Sequence, residues 1–356
     1  MADTRRECPD CASDFRSLDR RDFLKTASVA AVAGSASLAL SNWAVAKDAP
    51  AVSGKAESVV KTLYDSLKEE QRKKMCFAWD YTEKKRGLLR TYVANNWNIT
   101  EEMISSEFYN KDQQAMIREI FKGIVHPEWV SRIDKQLEDD AGGYGEQQSI
   151  AIFGQPGTGK FEFVMTGRHM TIRCDGDSAE HVAFGGPIFY GHAVEGNEKP
   201  NHPGNVFWPQ ALAANKVYEM LDTKQREQAL SARRPREQDV AFQGPNGKLP
   251  GIAVTEMSSD QQDELKKVLG KLVEPYHQAD RDEAMSCLKA QGGLEKCSLA
   301  FYKEGDLGDD KVWDCWRLEG PAFVWYFRGA PHVHVWVNIA ADPSVKTNSI
   351  EGQYPV

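Results

Sequence analysis

Apolar and β-branched residues gather in short runs along the second and third quarters of the chain and again near its C-terminus. Ser149 to Phe153, Phe161 to Arg173, His181 to Tyr190, Ser298 to Tyr302, Val312 to Leu318, Pro321 to Phe327 and His332 to Ile339 each predict a strand. Turn chemistry separates them, as in Gln155-Pro156-Gly157, Asp175-Gly176-Asp177, Gly185-Gly186-Pro187 and Gly329-Ala330-Pro331. Charged, amphipathic stretches predict helices, and three open on a capping side chain set three residues before Glu or Gln. These are Ser66-Leu67-Lys68-Glu69, Asp222-Thr223-Lys224-Gln225 and Ser259-Asp260-Gln261-Gln262. Strands that follow strands without intervening helices favour an antiparallel β-sheet with amphipathic helices packed on one side, preceded by a helical N-terminal segment. The expected class is α+β, in a single domain over 47–356, with Asp139 to Gly145 as the one soft boundary. Glu70-Gln71-Arg72 resembles Lys224-Gln225-Arg226, but the spacing is too irregular for a solenoid repeat.

One turn imitates a phosphate-binding loop. Gly154 to Lys160 fits G-x-x-x-x-G-K after an apolar strand, yet Phe161 stands where Ser or Thr would reach a magnesium ion. Phe161 to Thr166 alternates as a strand does, whereas the loop needs a helix N-terminus facing the phosphates. Strand, Gly-rich turn and strand make a hairpin, so no nucleotide is expected.

Composition and charge then narrow the class. Among 356 residues, 44 are Lys or Arg and 52 are Asp or Glu, a formal charge of -8 that argues against nucleic acid as a partner. Arg20 and Arg21, the small uncharged run Thr26 to Leu40, and Ala44-Val45-Ala46 resemble a twin-arginine export signal. The run is too short and too rich in Ala, Ser and Gly for a membrane span of roughly 20 apolar residues. Cleavage is expected after Ala46, which leaves no stable membrane span, a periplasmic or extracellular mature protein, and the twin-arginine export machinery as the precursor's partner. Cys8 and Cys11 leave with that leader. In an oxidising compartment Cys287 and Cys297, flanking Gln291-Gly292-Gly293, are the best disulfide pair among the five cysteines that remain.

The histidines carry the candidate chemistry. In His332-Val333-His334 strand alternation projects both imidazoles from one face, close enough to share an ion. His169, expected in a second strand over 167–172, would supply a third nitrogen, and His192 after a third strand is held in reserve. The competing explanation is a set of ordinary hydrogen-bonded core histidines. Trp313, Trp316, Trp325 and Trp336 crowd the C-terminal strands as core packing or, alternatively, as an aromatic wall for a sugar ring.

Several motifs together resemble the domain of unknown function 3500 (DUF3500) family over about 55–342. They are Gln71-Arg72, Phe153-Gly154-x-Pro156-Gly157, Phe161-x-Phe163 leading into Gly167-x-His169-Met170, Pro187-x-Phe189-x-Gly191, Gln225-Arg226, and Gly320-Pro321-x-Phe323 before His332-Val333-His334. The resemblance implies an exported bacterial protein of unassigned activity. The family's middle motif reads Gly-His-His-Leu, its last reads Asn-His-Val-His-Ser-Val-Trp-Arg-Asp, and an Ile-Glu-Tyr-Asp stretch comes before the last. By position His169, His332 and His334 are retained, Arg168 replaces the first histidine, and Trp325 stands where an acidic residue falls.

Two functions follow as expectations. One is a metal-dependent hydrolase or lyase whose divalent ion, zinc as first choice on ligand type, is held by His169, His332 and His334 and activates water. Arg168 and Arg328 would steady an oxyanion or substrate carboxylate, and Glu162 and Glu319 are the candidate bases nearest in sequence. The other is a non-catalytic exported protein that binds a small molecule or saccharide on the aromatic sheet face.

Overall fold

The computed structural model describes residues 53–193, 204–306 and 310–347, so the leader, its arginine pair and its cleavage site lie outside the described residues. Helix starts follow capping chemistry, with two shifts in register. Asp222 and Gln225 form the expected reciprocal box. The second box forms one residue early, between Ser258 and Gln261. Ser66 closes a helix instead of opening one, and the next helix starts after Lys68 with Gln71 in the answering position. The reason lies in the partner. The Gln71 side chain is buried and donates to Gln113 Oε1 at 2.9 Å, while Gln113 answers a box of its own from Asn110.

In chain order the elements are α1 (Ser53–Ser66), α2 (Glu69–Met75), β1 (Cys76–Phe77), β2 (Thr82–Glu83), β3 (Gly87–Leu88), α3 (Lys111–Ile124), α4 (Pro127–Ala141), β4 (Gln148–Gly154), β5 (Phe161–Gly167), β6 (Met170–Cys174) and β7 (Ile188–His192). Then come α5 (Trp208–Met220), α6 (Thr223–Ala229), β8 (Leu230–Ser231), β9 (Ile252–Ala253), α7 (Ser259–Val273), α8 (Gln278–Ala290), β10 (Ser298–Tyr302), β11 (Cys315–Gly320), β12 (Phe323–Arg328) and β13 (Val333–Ile339). The fold is α+β. Eleven strands form one sheet in the order β1-β4-β5-β6-β7-β13-β12-β11-β10-β8, with β9 also paired to β10. Its pairs are antiparallel except at the ends, where β1 runs parallel to β4 and β8 to β10.

Pleat alternation sorts the strands onto two buried faces. Ile150, Phe163, Ile172, Tyr190, Val335, Trp325 and Leu318 pack with the helices in one large core. The opposite face is covered by two largely irregular straps, the first opening on a short 3-10 turn at Leu89–Thr91. One, 89–99, lays Tyr92 and Trp97 over Phe153 and Val164, and the other carries Val240 against Tyr326 and Trp336. Side-chain hydrogen bonds pin both straps: Trp97 Nε1 donates to Thr171 Oγ1 at 2.9 Å, and Asn338 Nδ2 donates to Val240 O at 2.9 Å.

The element order is a duplication. Each half runs helix pair, short parallel edge strand, strap, helix pair and four-stranded meander, and the two halves join where β7 meets β13. Side chains repeat with it. Arg72 lies over the Tyr64 ring and Arg226 over the Tyr218 ring, while Gln225 bonds Gln261 at 3.1 Å as Gln71 bonds Gln113. The Gln-Arg similarity in the sequence therefore marks a twofold repeat.

The phosphate-loop imitation is a hairpin. Gly154 pairs with Phe161 across β4 and β5, and Gln155 N donates to Lys160 O at 3.0 Å. Gly154 has φ 70, and a Cβ there would stand 2.0 Å from Lys160 O, so glycine is required by the turn and not by a phosphate. The stretch Phe161 to Arg173, expected as one strand, is also a hairpin, with its turn at Arg168 and His169. The stretch expected from His181 becomes a strand only at Ile188.

Candidate metal centre

Strand β13 carries the site because its two faces differ. Val333, Val335, Val337 and Ile339 enter the helix-side core, so His334, Trp336 and Asn338 face the straps. His332 follows the Gly329-Ala330-Pro331 turn and meets His334 there. His169 reaches the same point from the turn between β5 and β6, in the left-handed region at φ 54. Two backbone bonds hold it: its N–H donates to Asn95 O at 3.0 Å, and its carbonyl accepts from Gly191 N at 3.2 Å. Gly191 makes room, since a Cβ on it would lie 2.4 Å from Val333 O and 3.4 Å from the His169 ring. The duplicated hairpin closes with Pro321 and Ala322 between Gly320 and Phe323, as Arg168 and His169 stand between Gly167 and Met170. A histidine is thus no requirement of the turn.

Three imidazole nitrogens converge. His334 Nε2 lies 2.9 Å from His332 Nε2 and 3.1 Å from His169 Nε2, and all three side chains are buried. A tetrahedral ion with metal–nitrogen bonds of about 2.0–2.1 Å holds its nitrogens about 3.3 Å apart, so a few tenths of an ångström of opening would admit one. These three buried histidines could hold a metal ion, as no other group of three or more His, Cys, Asp or Glu among the described residues could.

The far side of each ring fixes its tautomer. His169 Nδ1 lies 2.8 Å from Asp140 Oδ2, and His334 Nδ1 lies 2.7 Å from Glu237 Oε2. An ionised carboxylate only accepts, so both rings donate from Nδ1 and turn the Nε2 lone pair inward. Burial opposes the Asp140 charge, but the His169 ring and the Gln136 amide prevail and hold its pKa at about 2. Burial, then the charge of Arg328, holds His334 well below the usual histidine range and so neutral. Glu237 is itself anchored: Arg328 Nη1 donates to its Oε1 at 2.6 Å, and Trp336 Nε1 to its Oε2 at 3.3 Å.

A family model described as a protein of unknown function, DUF3500, matches residues 49–337. The chain belongs to this family. No curated protein and no solved structure matches it.

The DUF3500 fold scatters the remaining sequence candidates. His192 points to the helix side, with Nε2 2.9 Å from Asp139 Oδ2 and Nδ1 accepting from Val206 N at 3.2 Å, and does not join the three histidines. Glu162 sits five residues along β5 from the turn, roughly 17 Å of strand, and is bound by Arg173 at 3.0 Å and Arg90 at 3.3 Å. Glu319 pairs with Arg317 at 2.6 Å on β11, two strands from β13. Both carboxylates share the strap face with His334 but are tied to arginines away from the histidines. Arg328 is committed to Glu237 and to His332 O, whereas Arg168 flanks His169 in the turn. Trp325 faces the helix side and donates to Tyr190 Oη at 3.1 Å, so an acidic residue there would point away from the site. Trp316, Trp325 and Trp336 are fully enclosed, which leaves them no surface for a sugar.

Cys287 and Cys297 are buried but unjoined, contrary to the expected disulfide. One thiol turns to His181 O and the other to Gly293 O, each at 3.9 Å. Asp140 and Glu237, which orient two of the three rings, were missed in the sequence. Asp140 belongs to an acidic run that ends a helix, and Glu237 to a charged strap without periodicity; only the repeated rule that a ligating histidine needs a second partner hints at them.

Proposed function

We propose that this DUF3500 protein is a metal-dependent hydrolase or lyase acting after export, with its ion held by His169, His332 and His334 and zinc the first choice. The observation that carries this reading is the convergence of three Nε2 atoms while two Nδ1 protons are committed to buried carboxylates. Two lone pairs 3.1 Å apart repel unless a proton or a metal ion lies between them. A three-nitrogen set leaves a zinc ion one open position, where bound water becomes a nucleophile near neutral pH. The chain's own part is to keep His334 neutral, to aim the rings through Asp140 and Glu237, and to exclude bulk water beneath the straps.

A cavity of about 250 Å³ opens beside the site, and Glu237 forms part of its wall. None of the three buried histidines lines it, so on this reading a substrate would reach the ion past Glu237. The test is hydrolysis of a panel of chromogenic esters, amides and glycosides by zinc-loaded protein and by His332→Ala with His334→Ala. Turnover of one class, lost in the double variant and after chelation, supports the proposal. Turnover that survives both, or metal-loaded protein inert to all classes, counts against a hydrolase.

A further inference from the structure

Arginines act on the His334 ring or line the cavity, and they are not equally occupied. Arg328 gives Nη1 to Glu237 at 2.6 Å, Arg234 reaches the same carboxylate at 3.4 Å, and Arg236 pairs with Asp239 at 2.9 Å. Arg168 differs. Its Nε, like those of Arg234 and Arg328, is buried without a hydrogen-bond partner, but among the described residues no carboxylate pairs with its guanidinium. Its charge nonetheless reaches the His334 ring, where it acts alongside Arg328 and Arg234.

Arg168 is not itself a lining residue of the cavity, but its backbone adjoins the strap that forms one wall. It precedes His169 in the turn and bridges to Asn96, and the neighbouring Asn95 both lines the cavity and accepts the His169 N–H. The other lining groups include Arg234, Arg236, Gln238 and Glu304, and Glu304 accepts from Arg234 N at 3.2 Å. A half-buried guanidinium with no carboxylate of its own can take a charge-assisted bond from an anionic group.

We propose that Arg168 is the specificity residue of this site and that the substrate carries an anionic oxygen group, a carboxylate or phosphate, bound by its guanidinium while the reacting group meets the ion. This inference rests on the metal reading above. Planar, fork-shaped donation suits Arg over Lys for such a group.

The test uses cobalt-loaded protein, whose visible spectrum reports ligands at the ion. Acetohydroxamate, which offers metal binding alone, is compared with succinic monohydroxamate and with its phosphonate counterpart. The expected result is roughly 10- to 100-fold tighter binding of one anionic probe, the size of a charged hydrogen-bonded pair. Arg168→Gln should abolish that preference, read as the ratio of anionic-probe to acetohydroxamate affinity in the same protein, and Arg168→Lys should restore part of it. The tighter of the two anionic probes identifies the group. Equal affinity for all three probes, or a preference that survives in Arg168→Gln, overturns the inference while the metal site stands. A folded chain that takes up no cobalt removes both.

Discussion

His334 Nε2 and His169 Nε2 face each other at 3.1 Å, and each ring has already committed its other nitrogen to a buried carboxylate. The two residues lie 165 positions apart and in opposite halves of the duplication. The site therefore belongs to the seam between the halves, and neither half contains it alone.

Glu237 joins the site to the fold. Glu237→Gln keeps the shape but removes the charge that aims His334 and balances Arg328. Loss of such an orienting partner lowers metal affinity about 10- to 100-fold. Leaving the fully buried Arg328 without its anion costs about 3–5 kcal/mol. Competition with a chromophoric chelator measures the first effect and chemical denaturation the second.

Gly191→Ala tests the close approach of β7 to the site. The added methyl would lie 2.4 Å from Val333 O, so β7 and β13 must part and the His169 ring must shift. Overpacking of this kind costs about 1–3 kcal/mol. Metal affinity should fall with stability, whereas Gly270→Ala, with open space around it, should leave affinity unchanged.

Glu162→Gln should separate structure from chemistry. Its carboxylate answers Arg173, which is also buried, so the variant loses about 3–5 kcal/mol of stability. Metal binding by the folded fraction should match that of the unmodified protein. A selective loss of affinity would restore Glu162 as a site residue.

Much of this was legible in advance, for reasons that can be named. His332 and His334 share a face because the period of a strand is two, and that needs no tertiary information. His169 was found as a residue but expected in a strand, since Phe161 to Arg173 reads as one β-branched run and Arg168-His169 lacks the usual turn residues. Asp140 and Glu237 were invisible because they approach from α4 and from a strap, at separations of 29 and 97 residues. The duplication was nearly silent: only the Gln-Arg pairs and capping boxes repeat recognisably, because core positions tolerate any apolar residue of suitable size.

Stability should depend on pH through carboxylates remote from the histidines. Asp280 and Glu283 on α8 face Asp175 and Asp177 after β6 and Glu57 on α1. Burial, then repulsion from Asp175, raises Asp280 to about 7 and Glu283 to about 8. Groups with raised folded-state values bind more protons folded than unfolded between the ordinary carboxylate range near 4 and about 8. Their contribution is therefore most favourable below that window and is lost as pH rises through it. Glu283→Gln should stabilise the protein at pH 8 relative to pH 5, as thermal melts of both proteins would reveal. A variant with the opposite dependence would refute the assignment.

The metal content of the purified chain bears most directly on the central claim. After equilibration with zinc and gel filtration, the account predicts about one tightly held ion per chain, lost in His332→Ala with His334→Ala while circular dichroism shows the fold retained. A folded, unmodified chain that retains no zinc or other divalent ion would contradict it.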